Sequence, residues 1–372
     1  MKATWHIGKI FGIEINIDAS WLIIFVLVTW TLAGSQFPTQ YPGWSPLLYW
    51  IVGIATSILF FASILGHELA HSLIAIQRGE KVRSITLFIF GGVAQITEEP
   101  ERPLTELLMA LAGPLSSLAI AAAFWALWLL TRDVTEPVAA LARYLAIINA
   151  SLAFFNLIPG FPLDGGRVLR AVIWGLSGDL RAATRAASWL GQGIAFLFML
   201  WGISQVFFGL WLNGLWIAFI GWFLQNAAVS GYRQLMVRDM LRDIQAEDLM
   251  TDEFEVVTAD LTVQQLVDDY ILRHRHHAYP VADEGQLQGI ICLHDVRAVP
   301  RERWGTTRVS EVMTPREKVL TVSAEDNGNT VLARLNAEDV HQLPVIEDNR
   351  VRGMLRRSDI IRYLQLRSEL GI

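Results

Sequence analysis

Cysteine is nearly absent. A single residue, Cys292, in a chain of 372 excludes an intrachain disulfide and suits a reducing cytosol. Charge is scarce too: Asp, Glu, Lys and Arg make up 18 % of the chain, below the usual quarter, while apolar residues make up 53 %. The shortage is local. Before about Tyr232 the chain is mostly uncharged apolar blocks, and after it a charge comes every few residues. The first part reads as membrane and the second as soluble. There is no basic surplus either, and the net charge of −6 argues against a nucleic-acid partner. The N-terminal stretch, with Glu14 and Asp18 just ahead of the first apolar block, lacks the basic start and small-residue cleavage site of a secretion signal.

In place of charge there are runs of bilayer length. A hydrocarbon core of ~30 Å takes about 20 apolar residues in a helix. Residues 19–37, 46–77, 107–131 and 144–163 reach that length, and 186–232 holds two more runs joined near Gly209. About six spans follow. Lys2 and Lys9 precede the first span, Arg78, Lys81 and Arg83 follow the second, Arg167, Arg170, Arg181 and Arg185 the fourth, and Arg233, Arg238 and Arg242 the sixth. The alternate loops hold only Arg132 and Arg143, so both termini are expected in the cytoplasm. The stretch 84–97 is apolar, rich in β-formers and too short to span, and Gly91-Gly92 divides it into two expected strands. Beside a membrane site its edge would suit an extended peptide. An ordinary cytosolic hairpin is the alternative.

Ionisable side chains at the end of an apolar helix are expensive unless they have a function. His67 and His71 are four residues apart and so share a helix face; two such imidazoles can bind one zinc ion, and Glu68 can take a proton from a water on it. Tetrahedral zinc then lacks a third protein ligand. Asp164 is the best on offer: Pro159 and Pro162 break the helix before it, and Gly165 and Gly166 allow close approach of the chain. It is expected to close the fourth span at the depth where His67 and His71 close the second. Asn156, eight residues earlier, could hydrogen-bond an oxyanion or substrate backbone. Without a function the histidines and Glu68 would form a polar cluster, Asp164 would cap a helix, and Asn156 would be a packing amide.

The soluble part repeats itself. Asp248-Leu-Met250-Thr251 recurs as Glu311-Val-Met313-Thr314, Tyr279-Pro280-Val281 as Leu343-Pro344-Val345, and Gly289 to Asp295 as Gly353 to Asp359, at a period of about 64 residues. Each copy reads strand, helix, strand, strand, helix. So short a unit buries little core alone, and the copies should pack as a pair.

The two histidines with Glu68, the Gly91-Gly92 hairpin, Ala112-Gly113-Pro114 and the run from Asn156 to Arg167 resemble the site-2 protease family of intramembrane zinc metalloproteases, over roughly residues 1–230. The repeats resemble a tandem pair of cystathionine-β-synthase-type (CBS) domains. The resemblance implies a polytopic α-helical membrane domain (residues 1–230) with a short re-entrant β-hairpin. A linker (231–246) and a cytosolic α/β tandem CBS module (247–300 and 308–368) would follow. It also implies one zinc ion held by His67, His71 and Asp164, with Glu68 as catalytic base. The expected reaction is cleavage of a single-span membrane protein, such as an anti-sigma factor, in regulated intramembrane proteolysis at the cell membrane. An adenine nucleotide between the CBS repeats, with Asp295 and Asp359 on its ribose, is the ligand that the family offers. The Ser/Thr position of that pattern is Cys292 in one copy and Arg356 in the other, a departure from it. The tail is expected to regulate the protein or to dimerise it. Two other classes carry such tails: a CBS-regulated transporter or channel, and an inactive membrane scaffold. Ionisable residues clustered at one end of the spans favour the protease over a transport path.

Overall fold

The computed structural model describes residues 4–370 apart from 90, 97–99, 101, 275, 338, 339 and 349. Lys2 and, from the expected hairpin, Phe90 and Thr97 lie outside the described residues. The chain divides into two compact units, Met1–Arg233 and Gln234–Ile372.

Among the described residues, six helices are long and apolar enough to cross a membrane: α1 (Ala19–Gln40), α2 (Pro46–Gln77), α3 (Pro103–Thr131), α4 (Glu136–Asn156), α6 (Leu180–Phe207) and α7 (Trp211–Met240). A shorter helix, α5 (Asp164–Ser177), lies between α4 and α6. The fourth span differs from the expected 144–163. It starts eight residues earlier, where Pro137 occupies the first turn, and it carries Arg143 on an exposed face. It stops at Asn156 because Pro159 cannot continue it. Asp164 therefore opens α5 and does not close the fourth span. The expected linker is helical as far as Met240.

Buried polar pairs and small residues join the spans. Thr29 Oγ1 donates to Ser57 Oγ at 2.8 Å, joining α1 to α2, and Asn149 Nδ2 donates to Ser63 Oγ at 3.3 Å, joining α4 to α2. A Cβ on Gly202 of α6 would stand 2.6 Å from the Gly214 carbonyl oxygen of α7, so the two backbones touch where no side chain intervenes.

The expected hairpin is half of a four-stranded sheet, β1 (Thr4–Ile10), β2 (Ile13–Asp18), β3 (Val82–Phe88) and β4 (Gly91–Ile96), in that order. β2 and β3 run parallel and the outer pairs antiparallel. The sequence does not announce the first hairpin. β1 is almost wholly exposed, so it has no apolar face to alternate, and its turn rests on Gly12 at φ +83°. Ile13 and Ile15 of β2 and Ile85 of β3 pack on Leu65 and Leu69 of α2, which brings the sheet against the helix of His67 and His71.

The second unit is built by exchange between its two repeats. Its sheet includes β5 (Ala278–Asp283), β6 (Gln286–Cys292), β9 (Gln342–Glu347) and β10 (Arg350–Arg356), with short strands β7 (Thr314–Pro315) beside β6 and β8 (Val322–Ser323) beside β9. Thr251 of the first copy bridges Met354 of the second, and Thr314 of the second pairs with Ile290 of the first. The cores are exchanged as well. Ala246 and Leu249 are buried with Val331, Leu343 and Leu355, while Val309 is buried with Val263, Tyr279 and Ile291. Each repeat lends its first turn of helix to the other's core.

Candidate metal centre

The end of α2 and the start of α5 meet at three donor atoms. Asp164 Oδ2 lies 3.1 Å from His67 Nε2 and 3.2 Å from His71 Nε2, and the two Nε2 atoms are 3.2 Å apart. Ligand bonds of ~2.0–2.1 Å at tetrahedral angles would put donors ~3.3 Å apart, so this triangle suits zinc with one position to spare. Among the described residues it is the one group of three or more His, Cys, Asp or Glu that could share an ion.

The far side of each imidazole is held. His71 Nδ1 donates to the carbonyl oxygen of Met109 at 2.6 Å, and His67 Nδ1 lies 2.9 Å from Ser117 Oγ. A carbonyl can only accept, so the proton of neutral His71 sits on Nδ1 and the lone pair faces the triangle from Nε2. Such outer partners orient a metal-binding histidine and raise its basicity. Both come from α3, whose Gly113 clears the space in front. A Cβ there would stand 2.6 Å from His67 Nε2 and closer still to His71 Nε2. The residues therefore fit a zinc ion by donor chemistry, spacing and room.

Glu68 stands beside the triangle and not in it. Its carboxylate packs over Gly92 of β4, where a Cβ would be 3.1 Å from Cδ and 3.3 Å from Oε1. Asn156 is the last residue of α4, and its amide donates back to Leu152 O at 3.1 Å. No hydrogen bond among the described residues joins it to the three donors. Gly165 and Gly166 serve a different contact from the expected approach to metal. A Cβ on Gly165 would stand 2.5 Å from the Leu157 carbonyl carbon, and one on Gly166 would stand 2.6 Å from Gly160 O, so the bare start of α5 nests in its own loop.

Sequence reasoning missed Met109, Ser117 and the role of Gly113. A signal was present: the three recur at four-residue steps and so share one face of a helix. Two of them act through a backbone carbonyl and an absent side chain, which residue chemistry does not advertise.

In the second unit, Asp295 and Asp359 act as helix caps. Asp295 Oδ2 accepts from the Cys292 N–H at 2.8 Å, and Asp359 Oδ2 accepts from the Arg356 N–H at 3.0 Å. Neither lines the cleft of about 810 Å³ formed by residues of both repeats. Its lining includes His277, His294, Lys318, His341, Arg356 and Arg357 and, among the described residues, no Asp or Glu. Cys292 also borders it, and burial, with Asp295 nearby, pushes its thiol up to about 11.

Comparison with known proteins places both units. The model of peptidase family M50 matches residues 55–136 and 131–200, and the CBS domain model matches 246–302 and 309–366. Rip3 of Mycobacterium tuberculosis is 34 % identical over 98 % of this chain and 94 % of its own. Zinc metalloprotease MJ0392 of Methanocaldococcus jannaschii is 30 % identical over 100 % of this chain and 99 % of its own. The solved site-2 protease from M. jannaschii, 26 % identical, superposes on 61 % of this chain and 94 % of its own with a TM-score of 0.41.

Two measurements follow from this geometry. A Gly113→Ala chain should purify folded in detergent with zinc well below the wild-type content by elemental analysis, because the methyl group displaces both Nε2 atoms; unchanged zinc would contradict that. Alkylation of Cys292, the single thiol, should run at least ~100-fold slower at pH 7.5 than that of an ordinary thiol of pKa ~8.5. Its rate should climb as pH rises toward 11, the value to which the thiol is raised, because only the thiolate reacts.

Proposed function

The chain belongs to peptidase family M50 and is an intramembrane zinc metalloendopeptidase with a tandem CBS tail; from that premise we propose that it cuts a single-span membrane regulator within its transmembrane segment, near the cytoplasmic face. The observation that supports this reading most is the donor triangle of His67, His71 and Asp164, with each imidazole held from behind. Held by these residues, a zinc ion would supply Lewis acidity for polarising a peptide carbonyl and for lowering the pKa of water from ~16 toward ~7. Glu68 is the general base: its carboxylate takes the proton of the attacking water and passes it to the leaving amine. Asn156, at the end of α4, releases Leu152 O and donates to the substrate oxyanion or backbone.

A transmembrane helix hides its carbonyls in its own hydrogen bonds, so the cut segment has to be extended. β4 is an outer strand of the sheet, and nothing among the described residues pairs with its outer edge. A substrate strand added there would pass Gly92 and so run beside Glu68. With both termini in the cytoplasm, as the basic loops imply, the site opens toward the cytoplasmic side of the cell membrane. The substrate is then a tethered regulator, such as an anti-sigma factor, whose cytosolic part is released. In the tail, the basic cleft suits the phosphates of an adenine nucleotide, held by Arg356 and Arg357 and not by Asp295 and Asp359. The tail would regulate cleavage through that ligand.

A Glu68→Gln chain should keep its zinc and lose at least ~100-fold in cleavage of a membrane substrate reconstituted with it. Retained cleavage would remove Glu68 from the role of base. In the full-length protein ATP should raise the unfolding temperature of the tail more than adenosine does, and an Arg356→Ala, Arg357→Ala chain should abolish the difference. Equal effects of ATP and adenosine would rule out recognition through phosphate.

A further inference from the structure

The contacts that hold the donor triangle come from one stripe of α3, and the stripe has a fourth member. Glu106 stands one turn before Met109, in line with Gly113 and Ser117, and all four are buried. Glu106 Oε1 accepts from Arg170 Nε at 2.6 Å, and Arg170 Nη2 lies against the same oxygen. Arg170 belongs to α5, whose first residue is Asp164. Its guanidinium also sits 5.2 Å from the centre of the Phe161 ring, in the loop that delivers Asp164.

A buried ion pair is a poor device for stability, because taking both charges out of water offsets their attraction. The side chains here are 9 % and 3 % exposed, so that offset applies in full. What such a pair supplies is orientation, since the planar guanidinium fork accepts few geometries. Orientation is what a donor set split between two helices needs. Two donors sit on α2 and the third on α5, so their spacing depends on how both helices lie against a common neighbour. That neighbour is α3: Met109 and Ser117 hold the α2 histidines, and Glu106, one turn away, holds α5.

We propose that Glu106 and Arg170 are positioning residues of the metal centre, fixing Asp164 Oδ2 at its distance from the two Nε2 atoms. The inference rests on the zinc reading of that centre. It is tested with cobalt(II) in place of zinc in the full chain purified in detergent, reading the visible absorption of the bound ion and its affinity. The chains compared are wild type, Glu106→Gln and the double variant Glu106→Gln, Arg170→Met. The double variant buries no lone charge, so its unfolding temperature should stay near that of wild type. Both variants should bind cobalt about 10–100-fold more weakly and with altered bands, the size of effect typical of an outer partner of a metal ligand. A purely structural pair predicts instead that the double variant, once stable, recovers the wild-type spectrum and affinity, and that result would overturn the proposal. Wild type that takes up no cobalt would fail the zinc reading itself, and the proposal with it. Wild-type uptake with unchanged variants would fail the proposal alone.

Discussion

Two imidazole rings on α2 are gripped at their Nδ1 atoms by α3 and left clear at their Nε2 atoms by a glycine of the same helix. The catalytic half of the molecule depends on that double contact. A histidine that is free to rotate, or whose Nε2 carries the proton, offers a metal nothing. The Met109 carbonyl settles both questions for His71 before any ligand arrives, and the Ser117 hydroxyl holds the ring of His67 in place. Pro114 interrupts the hydrogen-bond ladder of α3 at this turn, since it has no N–H for the Ala110 carbonyl. A helix that gives up regularity there gains a face shaped for two rings.

The third donor reaches the site by close packing of backbone. The loop after α4 carries Asp164 inward, and it is tight because several of its contacts are glycine against backbone. A Cβ on Gly160 would stand 2.6 Å from Gly191 Cα of α6, and the same steric limit governs Gly165 and Gly166 at the start of α5. Inside a bilayer such irregular backbone survives only where protein surrounds it. The sheet on the other flank follows the same logic: Ile13, Ile15 and Ile85 seal it onto α2, and Gly92 lets β4 approach the Glu68 side chain.

In the second unit, the exchange of short segments explains why so small a repeat can fold at all. Met250 lies close over Gly353 and Met313 over Gly289, at 2.6 Å and 2.9 Å from where a Cβ would be. Each copy's Met-Thr segment is thus completed by the partner copy's glycine. The cleft between the two interlocked repeats is bordered by Lys318, Arg356 and Arg357, which make its lining basic.

Much of this was legible in the chain as written. Six bilayer-length runs, the spacing of His67 and His71, the Gly91-Gly92 break and the repeat in the tail each carry their own period, and a period survives without knowledge of neighbours. Asp164 was legible as a candidate through the prolines and glycines around it, although its place at the head of α5 was not. Hidden from the sequence were the first hairpin, whose outer strand is exposed and has no pattern to show, and the earlier start of α4, which tolerates Arg143. Hidden too were the Met109 carbonyl, the space at Gly113 and the Glu106–Arg170 pair. By itself the sequence determined which stretches are long and apolar enough to cross a membrane and which side chains are candidate metal ligands, because apolar length and ligand chemistry are local properties. Tertiary structure alone decided which atoms face one another. Donors His67 and Asp164 are 97 residues apart in the chain, and the histidines are held by a backbone oxygen and a hydroxyl of α3, with room left by a missing side chain.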